Sequence, residues 1–187
     1  MELKRVVVTG LGALTPVGNN VTETWENLVN GVSGAGPITH FDASKFKTQF
    51  ACEVKNFKVT DHLDRKEARK MDLYTQYAIV AAKEAIEDSA MDLDKVDKNK
   101  IGVIYGVGLG GRRTMEEELF NYALNKDTMG PKFNPFFIPK MIADIASGHI
   151  SIMYGFHGPN FTTTSACASS SNAIADAFNY IRLGKAN

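Results

Sequence analysis

The sequence predicts an α/β fold in which helices flank a mixed central sheet. Short β-branched segments alternate with amphipathic helical segments, and glycine-rich turns follow two of the strand segments. This alternation is typical of one layer of strands joined by crossover helices. The chain has 187 residues, 44% of them hydrophobic, which is enough for one domain with a hydrophobic core.

The first predicted elements are a strand, a turn and a capped helix. Residues 5–8 form a β-branched run, and the turn Gly10-Leu11-Gly12 follows it. Asn20 is placed to cap the next helix, with Glu23 at the capping-box position. We expect that helix to end at Gly31. Its apolar residues share one face and are Val21, Trp25, Leu28 and Val29.

The rest of the chain continues the alternation after a turn-rich excursion at 33–59. Apolar residues at helical spacing predict further helices over residues 72–90, 115–124, 140–153 and 166–183. Short apolar or β-branched runs predict strands over residues 101–105 and 160–164, and residues 131–139 predict an irregular aromatic loop. The last helix carries an apolar stripe, with Gly184 as its cap; the stripe is Ile174, Ala177, Phe178 and Ile181. Because another strand normally follows such a helix, we expect the chain to be part of a longer fold.

Composition excludes several classes of function. Lys plus Arg and Asp plus Glu both number 21, so nothing favours nucleic acid or a membrane surface as the main partner. No apolar run approaches the roughly 20 residues that cross a bilayer. The first eight residues resemble a strand rather than a signal peptide. We therefore expect a cytoplasmic protein.

The cysteines and histidines give no metal-binding pattern. The chain has two cysteines, Cys52 and Cys167, which we expect to be free thiols in a reducing compartment. No Cys-x-x-Cys spacing is present, and Cys52 has a context typical of packing. The histidines show no ligand spacing, and His149 is predicted to be structural. They are His40, His62, His149 and His157.

The segment around Cys167 has the pattern of a nucleophile elbow. A strand ends near Thr164, the chain turns, and a helix begins at or just before Cys167. Unpaired N–H groups and the dipole at a helix N-terminus favour a thiolate and bind a developing oxyanion. Small neighbours such as Ala166 and Ala168 leave room for a substrate. The pattern alone leaves two interpretations open, a catalytic thiol or a packed cysteine.

A second glycine motif allows a nucleotide-binding interpretation. Gly106, Gly108 and Gly111 fit the spacing G-x-G-x-x-G after a strand, a pattern that is weak alone. A dinucleotide site also needs an acidic residue at the end of the next strand, about 20 residues on. Residues 126–130 do not follow an apolar strand, which disfavours nucleotide binding.

Ordered segments along nearly the whole chain resemble the β-ketoacyl synthase family, particularly synthase II of bacterial fatty-acid synthesis. The segments are VVVTGLGALTPVG (6–18), RKEARKMD (65–72), GVGLGG (106–111), NPFFIP (134–139), MYGFHGP (153–159) and TSACAS (164–169). The last one matches the active-site cysteine motif of the family. Residues 1–187 are thus identified as a family N-terminal domain, with the C-terminal domain absent.

The resemblance implies a fold and a reaction. The fold is thiolase-like, here an incomplete N-terminal half, and the family usually forms homodimers. Cys167 would take an acyl chain from an acyl carrier protein, and a malonyl group on a second carrier protein would lose CO₂ and attack it. The covalent intermediate divides a difficult condensation into two steps. The resemblance implies no cofactor and no metal.

The resemblance also assigns binding residues. Leu109 would line the acyl pocket, and Phe137 and Ile138 would reach the partner's acyl pocket across the dimer. The strand at 160–164 would pair with its twofold mate. A basic cluster would dock the acidic carrier protein, mainly by electrostatic steering; it consists of Arg65, Lys66, Arg69 and Lys70. For Leu109 the alternative is an ordinary leucine in a turn, and for Phe137 and Ile138 it is a satellite hydrophobic cluster under the loop. For the basic cluster the alternative is a helix start whose charges face solvent.

The family's two catalytic histidines, a lysine and a gating phenylalanine belong to the second half of the family chain, and no histidine here matches them. We therefore expect this chain alone not to catalyse condensation. Two other hypotheses remain, a polyketide-type ketosynthase domain and a non-catalytic, truncated dimerising fragment.

Overall fold

A computed structural model describes residues 3–128, 130 and 132–187. The helices are α1 (Val21–Val29), α2 (Arg65–Ala68), α3 (Leu73–Asp88), α4 (Arg112–Asn125), α5 (Phe137–Met141), α6 (Ile145–Tyr154) and α7 (Ser169–Arg182). The strands are β1 (Gly36–Pro37), β2 (Phe50–Ala51), β3 (Val103–Gly106) and β4 (Asn160–Thr163). Single 3-10 turns lie at Val59–Asp61, Lys98–Lys100 and Ala166–Ala168. Met1 and Pro131, which begin two predicted segments, lie outside the described residues.

The chain divides into two compact units, and α3 runs from one into the other. The first unit contains residues 1–8, 63–79 and 91–187. In it β3 and β4 pair in parallel, with Ile104 opposite Phe161. Helices α6 and α7 both pack against these strands. The predicted crossover between the strands is thereby confirmed.

A buried carboxylate connects two helix starts in the first unit. Asp72, immediately before α3, accepts a hydrogen bond from the Tyr74 amide through Oδ1. Its Oδ2 accepts from the amide and the hydroxyl of Thr114 on α4, at 3.1 and 2.6 Å. Asp72 and Thr114 are both buried. A carboxylate at a helix start satisfies amides that have no partner within the helix, so Asp72 stabilises both helix starts.

The second unit contains residues 9–62 and 80–90. Asn20 caps α1 as predicted, because its side chain accepts from the Glu23 amide at 2.8 Å. Glu84 on α3 holds the preceding loop by accepting from the amides of Ala13 and Val21. Gly12 is required because a Cβ there would collide with the Ala81 carbonyl. Strands β1 and β2 form a small antiparallel pair.

The hydrophobic core lies mainly along α3, α6 and the two parallel strands. Its buried members include Ala78, Ile79, Val107, Ala146, Ile150 and Ala173. Two predicted apolar helix faces are not buried in this core. Trp25 on α1 is 66% exposed and Ile174 on α7 is 71% exposed. Helical spacing identifies which residues share a face, but the neighbours of that face determine its burial.

Three predicted elements need correction. Residues 5–8 form no strand; within the described residues Lys4 N donates to Arg182 O, and no β-ladder supports Val7 and Val8. The helix predicted at 140–153 is divided, because Ile142 after α5 is extended with ψ 141°. The predicted loop at 131–139 ends inside α5.

No described helix has the length and apolar character needed to cross a membrane.

Candidate active site

Cys167 lies at the corner between β4 and α7. It occupies the middle of the 3-10 turn Ala166–Ala168, and its side chain is exposed. The turn is closed by the Ala168 amide, which donates to the Ser165 carbonyl at 3.0 Å. Helix α7 follows at once, and no side chain caps its first turn. The strand, turn and helix order predicted for an elbow is therefore present, with one 3-10 turn added before the helix.

The residue before Cys167 has a strained backbone. Ala166 has a φ of 49°, in the left-handed region. A residue with a Cβ in that region costs about 1–2 kcal/mol relative to ordinary conformations. Such strain persists only where surrounding contacts hold it, and it occurs often at functional sites. The turn therefore has a shape that the rest of the unit must maintain.

Ser169, the first residue of α7, makes most of the contacts that hold this turn. Its Oγ accepts from the Ser165 amide at 2.9 Å and lies 2.8 Å from the Ala166 carbonyl. It also lies 3.3 Å from the Val107 carbonyl, just after β3. The Ser169 carbonyl accepts from the Thr163 hydroxyl at 2.9 Å. The side chain is buried, so its hydrogen bonds are sheltered from water.

Strand β3 approaches the start of α7 closely enough to require glycine. A Cβ at Gly106 would lie 2.5 Å from the Ser169 carbonyl carbon and the Ser170 nitrogen. The Val107 amide donates to the Thr163 carbonyl at 3.1 Å, which extends the β3–β4 pairing toward the turn. The glycine motif thus has a packing explanation at Gly106.

The loop after β3, which carries Leu109, passes near the residue before Cys167. A Cβ at Gly108 would be 3.9 Å from the Ala166 carbonyl oxygen. The Leu109 side chain is 76% exposed. The Gly111 amide then donates to the Met141 carbonyl at 3.0 Å. The structure therefore joins the cysteine turn, the Leu109 loop and the end of α5 in one unit.

The two predicted pocket residues on α5 differ in their surroundings. Phe137 is half-buried and stacks on Phe133, with ring centroids 5.5 Å apart. Phe133 stacks in turn on Tyr122 of α4 at 5.1 Å. Ile138 is 55% exposed. Phe137 therefore belongs to an aromatic stack within the chain, whereas Ile138 presents apolar surface to the outside.

The basic cluster is assembled by α2 and the residues after it. Lys70 forms an ion pair with Glu67 at 2.7 Å. Arg65, Lys66 and Arg69 are exposed and have no ion pair within the described part of the chain. Asp64 caps α2 by accepting from the Lys66 amide. Three cations are thus available to a partner.

The remaining candidate groups form no second centre within the described residues. Burial is the main cause that lowers the pKa of His149, with a smaller opposing effect of Glu67 and a reinforcing one of Lys70. Cys52 is exposed after β2, so the prediction that it is packed is not supported by its burial. Among the described residues, no three His, Cys, Asp or Glu side chains are grouped to hold a metal ion.

Sequence reasoning missed the two residues that shape the turn. The sequence pattern indicates only that Ala166 is small, and it predicts for neither Ala166 nor Ser169 a role in holding Cys167. Ser169 follows a strand rich in threonine, and a serine at a helix start often hydrogen-bonds to nearby backbone. This tendency of serine is the sequence signal that could have indicated the role of Ser169. The contact with Val107 joins residues 62 positions apart, which no local pattern indicates.

Comparison with known proteins agrees with the geometry. The family model "Beta-ketoacyl synthase, N-terminal domain" matches residues 3–187. The chain is 46% identical over 187 residues to 3-oxoacyl-[acyl-carrier-protein] synthase 2 of Staphylococcus aureus (strain COL). It is also 46% identical to the synthase of that name from Synechocystis sp., covering 100% of this chain. In both cases the chain spans 44% of the relative's length.

Solved structures share the fold at lower identity. A ketosynthase described in complex with its type II PKS acyl-carrier protein has a TM-score of 0.82 and 29% identity, over 98% of this chain and 49% of that one. The ishigamide ketosynthase/chain length factor has a TM-score of 0.84 and 27% identity, over 99% and 46%. A β-ketoacyl synthase from Burkholderia phymatum STM815 has 0.81 and 26%, over 98% and 45%. The predicted partial thiolase-like α/β fold is confirmed.

Proposed function

Because the chain belongs to the β-ketoacyl synthase family, we propose that it carries the acyl-accepting site of a 3-oxoacyl-[acyl-carrier-protein] synthase of fatty-acid biosynthesis. The observation that supports this most is the exposed Cys167 on a strained turn between a parallel strand and a helix. A packed structural cysteine needs neither exposure nor a left-handed neighbour. An attacking thiol needs both room and a fixed direction.

The first step is transfer of an acyl group to Cys167. The thiolate attacks the carbonyl carbon of an acyl carrier-protein thioester and forms a new carbon–sulfur bond. The tetrahedral intermediate collapses by breaking the bond to the carrier-protein sulfur, which leaves and takes up the proton that Cys167 lost. The products are an acyl-Cys167 thioester and a free carrier-protein thiol, so a reactive acyl group is stored on the protein.

The second step is decarboxylative condensation. A malonyl thioester loses CO₂, and the electron pair of the broken bond forms a carbon–carbon bond with the acyl carbon. The Cys167 sulfur leaves and is regenerated. The family resemblance implies that its catalytic histidines match none of the four histidines of this chain, which spans 44% of the relatives' length. We therefore propose that this step depends on groups outside the chain, and we expect the chain alone not to condense.

Mass spectrometry after incubation with an acyl carrier-protein thioester, or with the cysteine-directed inhibitor cerulenin, tests the first step. We expect an adduct on Cys167 and none on Cys52. Cys52 is a matched internal control, because it is also an exposed free thiol. The Cys167→Ser variant should lose the label, and an adduct confined to Cys52 would defeat the assignment.

We assign Leu109 to the acyl pocket of its own chain, and Phe137 and Ile138 to the acyl pocket of a partner copy in the dimer. Leu109 follows Gly108, which lies near the Ala166 carbonyl, and Leu109 itself is exposed and apolar. Leu109→Ala should lengthen the longest acyl chain that labels Cys167, and Leu109→Trp should shorten it. A matched change at Leu124, exposed near the end of α4, should leave the preference unchanged. An identical chain-length profile in all variants would contradict the role of Leu109.

We propose that Arg65, Lys66, Arg69 and Lys70 dock the acidic carrier protein. Three of these cations have no described ion pair, and electrostatic complementarity of this kind mainly raises the association rate. The double variant R65E/K66E should slow association at low salt by about tenfold or more, and the difference should shrink as salt is added. The control is K45E/K47E, which changes the charge equally at two exposed lysines. Equal effects of both pairs would rule out a specific patch.

We propose a homodimer through the edge of β4 that pairs with no other strand in the described part of the chain. The Pro159 carbonyl accepts from Val103 of β3, and the Thr163 carbonyl accepts from Val107 just after it. The backbone groups of successive residues point to opposite edges of a strand, so the Thr162 amide faces the edge away from β3. A second copy of β4 would pair there. Thr162→Pro removes that donor and should convert a dimer into a monomer in sedimentation experiments. A wild-type monomer would contradict this proposal without affecting Cys167.

A polyketide-type ketosynthase is the alternative function. It is favoured by the likeness to the ketosynthase bound to its polyketide carrier protein. The identity of 46% to fatty-acid synthases against 29% to that ketosynthase leads us to prefer fatty-acid synthesis. Labelling of Cys167 by fatty-acid carrier protein but not by a polyketide carrier protein would support this choice.

The cytoplasm remains the predicted compartment, which cell fractionation tests.

A further inference from the structure

Ser169 makes hydrogen-bond contacts with the end of β4, with the turn that carries Cys167 and with the residue after β3. Its hydroxyl accepts from Ser165 and has two carbonyls within reach, those of Ala166 and Val107. A hydroxyl donates one proton, so the Ala166 carbonyl at 2.8 Å is the better acceptor than Val107 at 3.3 Å. The hydroxyl therefore accepts from the Ser165 amide and donates to the Ala166 carbonyl. Together these two hydrogen bonds enclose the strained Ala166.

The rest of Ser169 is fixed as well, which makes it a firm anchor. Its carbonyl accepts from Thr163 at the end of β4, and its backbone packs on Gly106 of β3. The residue as a whole is only 3% exposed. A buried and fully bonded group stays in place when a flexible surface group would not. The anchor is thus tied to both strands, while the turn that it holds is exposed.

We propose that Ser169 is a positioning residue for Cys167, a role that rests on the acyl transfer proposed above. The serine maintains the left-handed Ala166 and thereby fixes the direction in which the thiol leaves the turn. Asn172, one turn further along α7, assists by donating to the Ser165 hydroxyl at 2.6 Å. Ser169 itself does not react with the substrate.

The test separates positioning from simple reactivity. Acyl transfer needs the thiol to approach a thioester carbonyl in one direction. Alkylation of an exposed thiol by iodoacetamide depends less on the direction of approach. We expect Ser169→Ala to lower the rate of Cys167 acylation by an octanoyl carrier protein at least tenfold, since small misplacements are costly in such reactions. The iodoacetamide rate at Cys167, measured against Cys52, should stay within about threefold.

Three further variants of the 187-residue chain complete the test. Ser169→Thr keeps the hydroxyl and should restore acylation to within about threefold of wild type. Ser171→Ala makes the same change at an exposed position with no described hydrogen bond and should have no effect. Asn172→Ala, exposed on α7, should lower acylation about threefold even if Ser169→Ala does not fold. The proposal would be overturned if Ser169→Ala were acylated at the wild-type rate. It would also be overturned if the acylation and alkylation rates of that variant fell by the same factor.

Amide hydrogen exchange distinguishes failure of this proposal from failure of the proposed function. If the wild-type chain accepts no acyl group, the function is refuted, and exchange at Ser165 still tests the anchor. Ser169→Ala should accelerate exchange of the Ser165 amide at least tenfold, because that amide loses its acceptor, and Ser171→Ala should not. An unchanged Ser165 amide in Ser169→Ala would refute the anchor whether or not acylation occurs.

Discussion

Replacing Gly106 with alanine would place a methyl group between β3 and the start of α7. The new Cβ would lie 2.5 Å from two backbone atoms, about 0.9 Å short of the 3.4 Å at which ordinary contact begins. Both obstacles belong to the backbone of Ser169 and Ser170, so no side chain can rotate away. The strand and the helix must separate instead.

The expected cost is at the upper end of the range for overpacking. Inserting a methyl group into a packed site costs typically 1–3 kcal/mol, and here the shift also disturbs the Ser169 contacts with Val107 and Thr163. We therefore expect Gly106→Ala to lower the free energy of unfolding by about 3 kcal/mol. The thiol should also be displaced, because α7 begins two residues after Cys167.

Urea unfolding followed by far-UV circular dichroism measures this effect. Gly148→Ala is the matched control, since it makes the same change inside α6, where the new Cβ meets no atom within 4 Å apart from the adjacent residues and the backbone of its own helix. That variant should gain up to about 1 kcal/mol from helix propensity. A free energy of unfolding for Gly106→Ala within about 1 kcal/mol of wild type would refute the close approach of β3 and α7.

Three other changes test separate parts of the structure. Ala166→Gly removes the penalty of a Cβ at φ 49° and should raise the free energy of unfolding by up to about 1 kcal/mol in urea titrations; a loss would show that the left-handed conformation is wrong. Asp72→Ala breaks three hydrogen bonds at two helix starts and should cost about 3 kcal/mol in thermal unfolding, with Thr114→Val costing less; a change below about 0.5 kcal/mol would contradict the buried connection. Burial lowers the pKa of His149 from 6.5, so the unfolded chain binds more protons and stability should fall as pH drops through and below about 6.5. His149→Gln should flatten that part of the stability–pH curve, and an unaltered curve would exclude His149 as the cause.

Local pattern was sufficient for much of the fold. The capping role of Asn20, the strands β3 and β4 and the long helix α3 follow from residue type and spacing, because such signals act over a few neighbouring residues. The elbow around Cys167 was predictable for the same reason: a strand, a turn and a helix meet within a short segment. Residues 5–8 show the limit, since a β-branched run forms a strand only when a partner strand supplies its hydrogen bonds.

Tertiary contacts decided what makes the corner a site. No spacing rule places Ser169 against Val107, because these residues are 62 positions apart and meet only after β3 and β4 pair. The left-handed Ala166 is held by the Ser169 bonds to Ser165 and Ala166, and the alanine side chain gives no reason for that conformation. The exposure of Cys167 likewise depends on the elements that surround it. Composition and periodicity report on neighbours along the chain, whereas the direction of a thiol depends on neighbours in space.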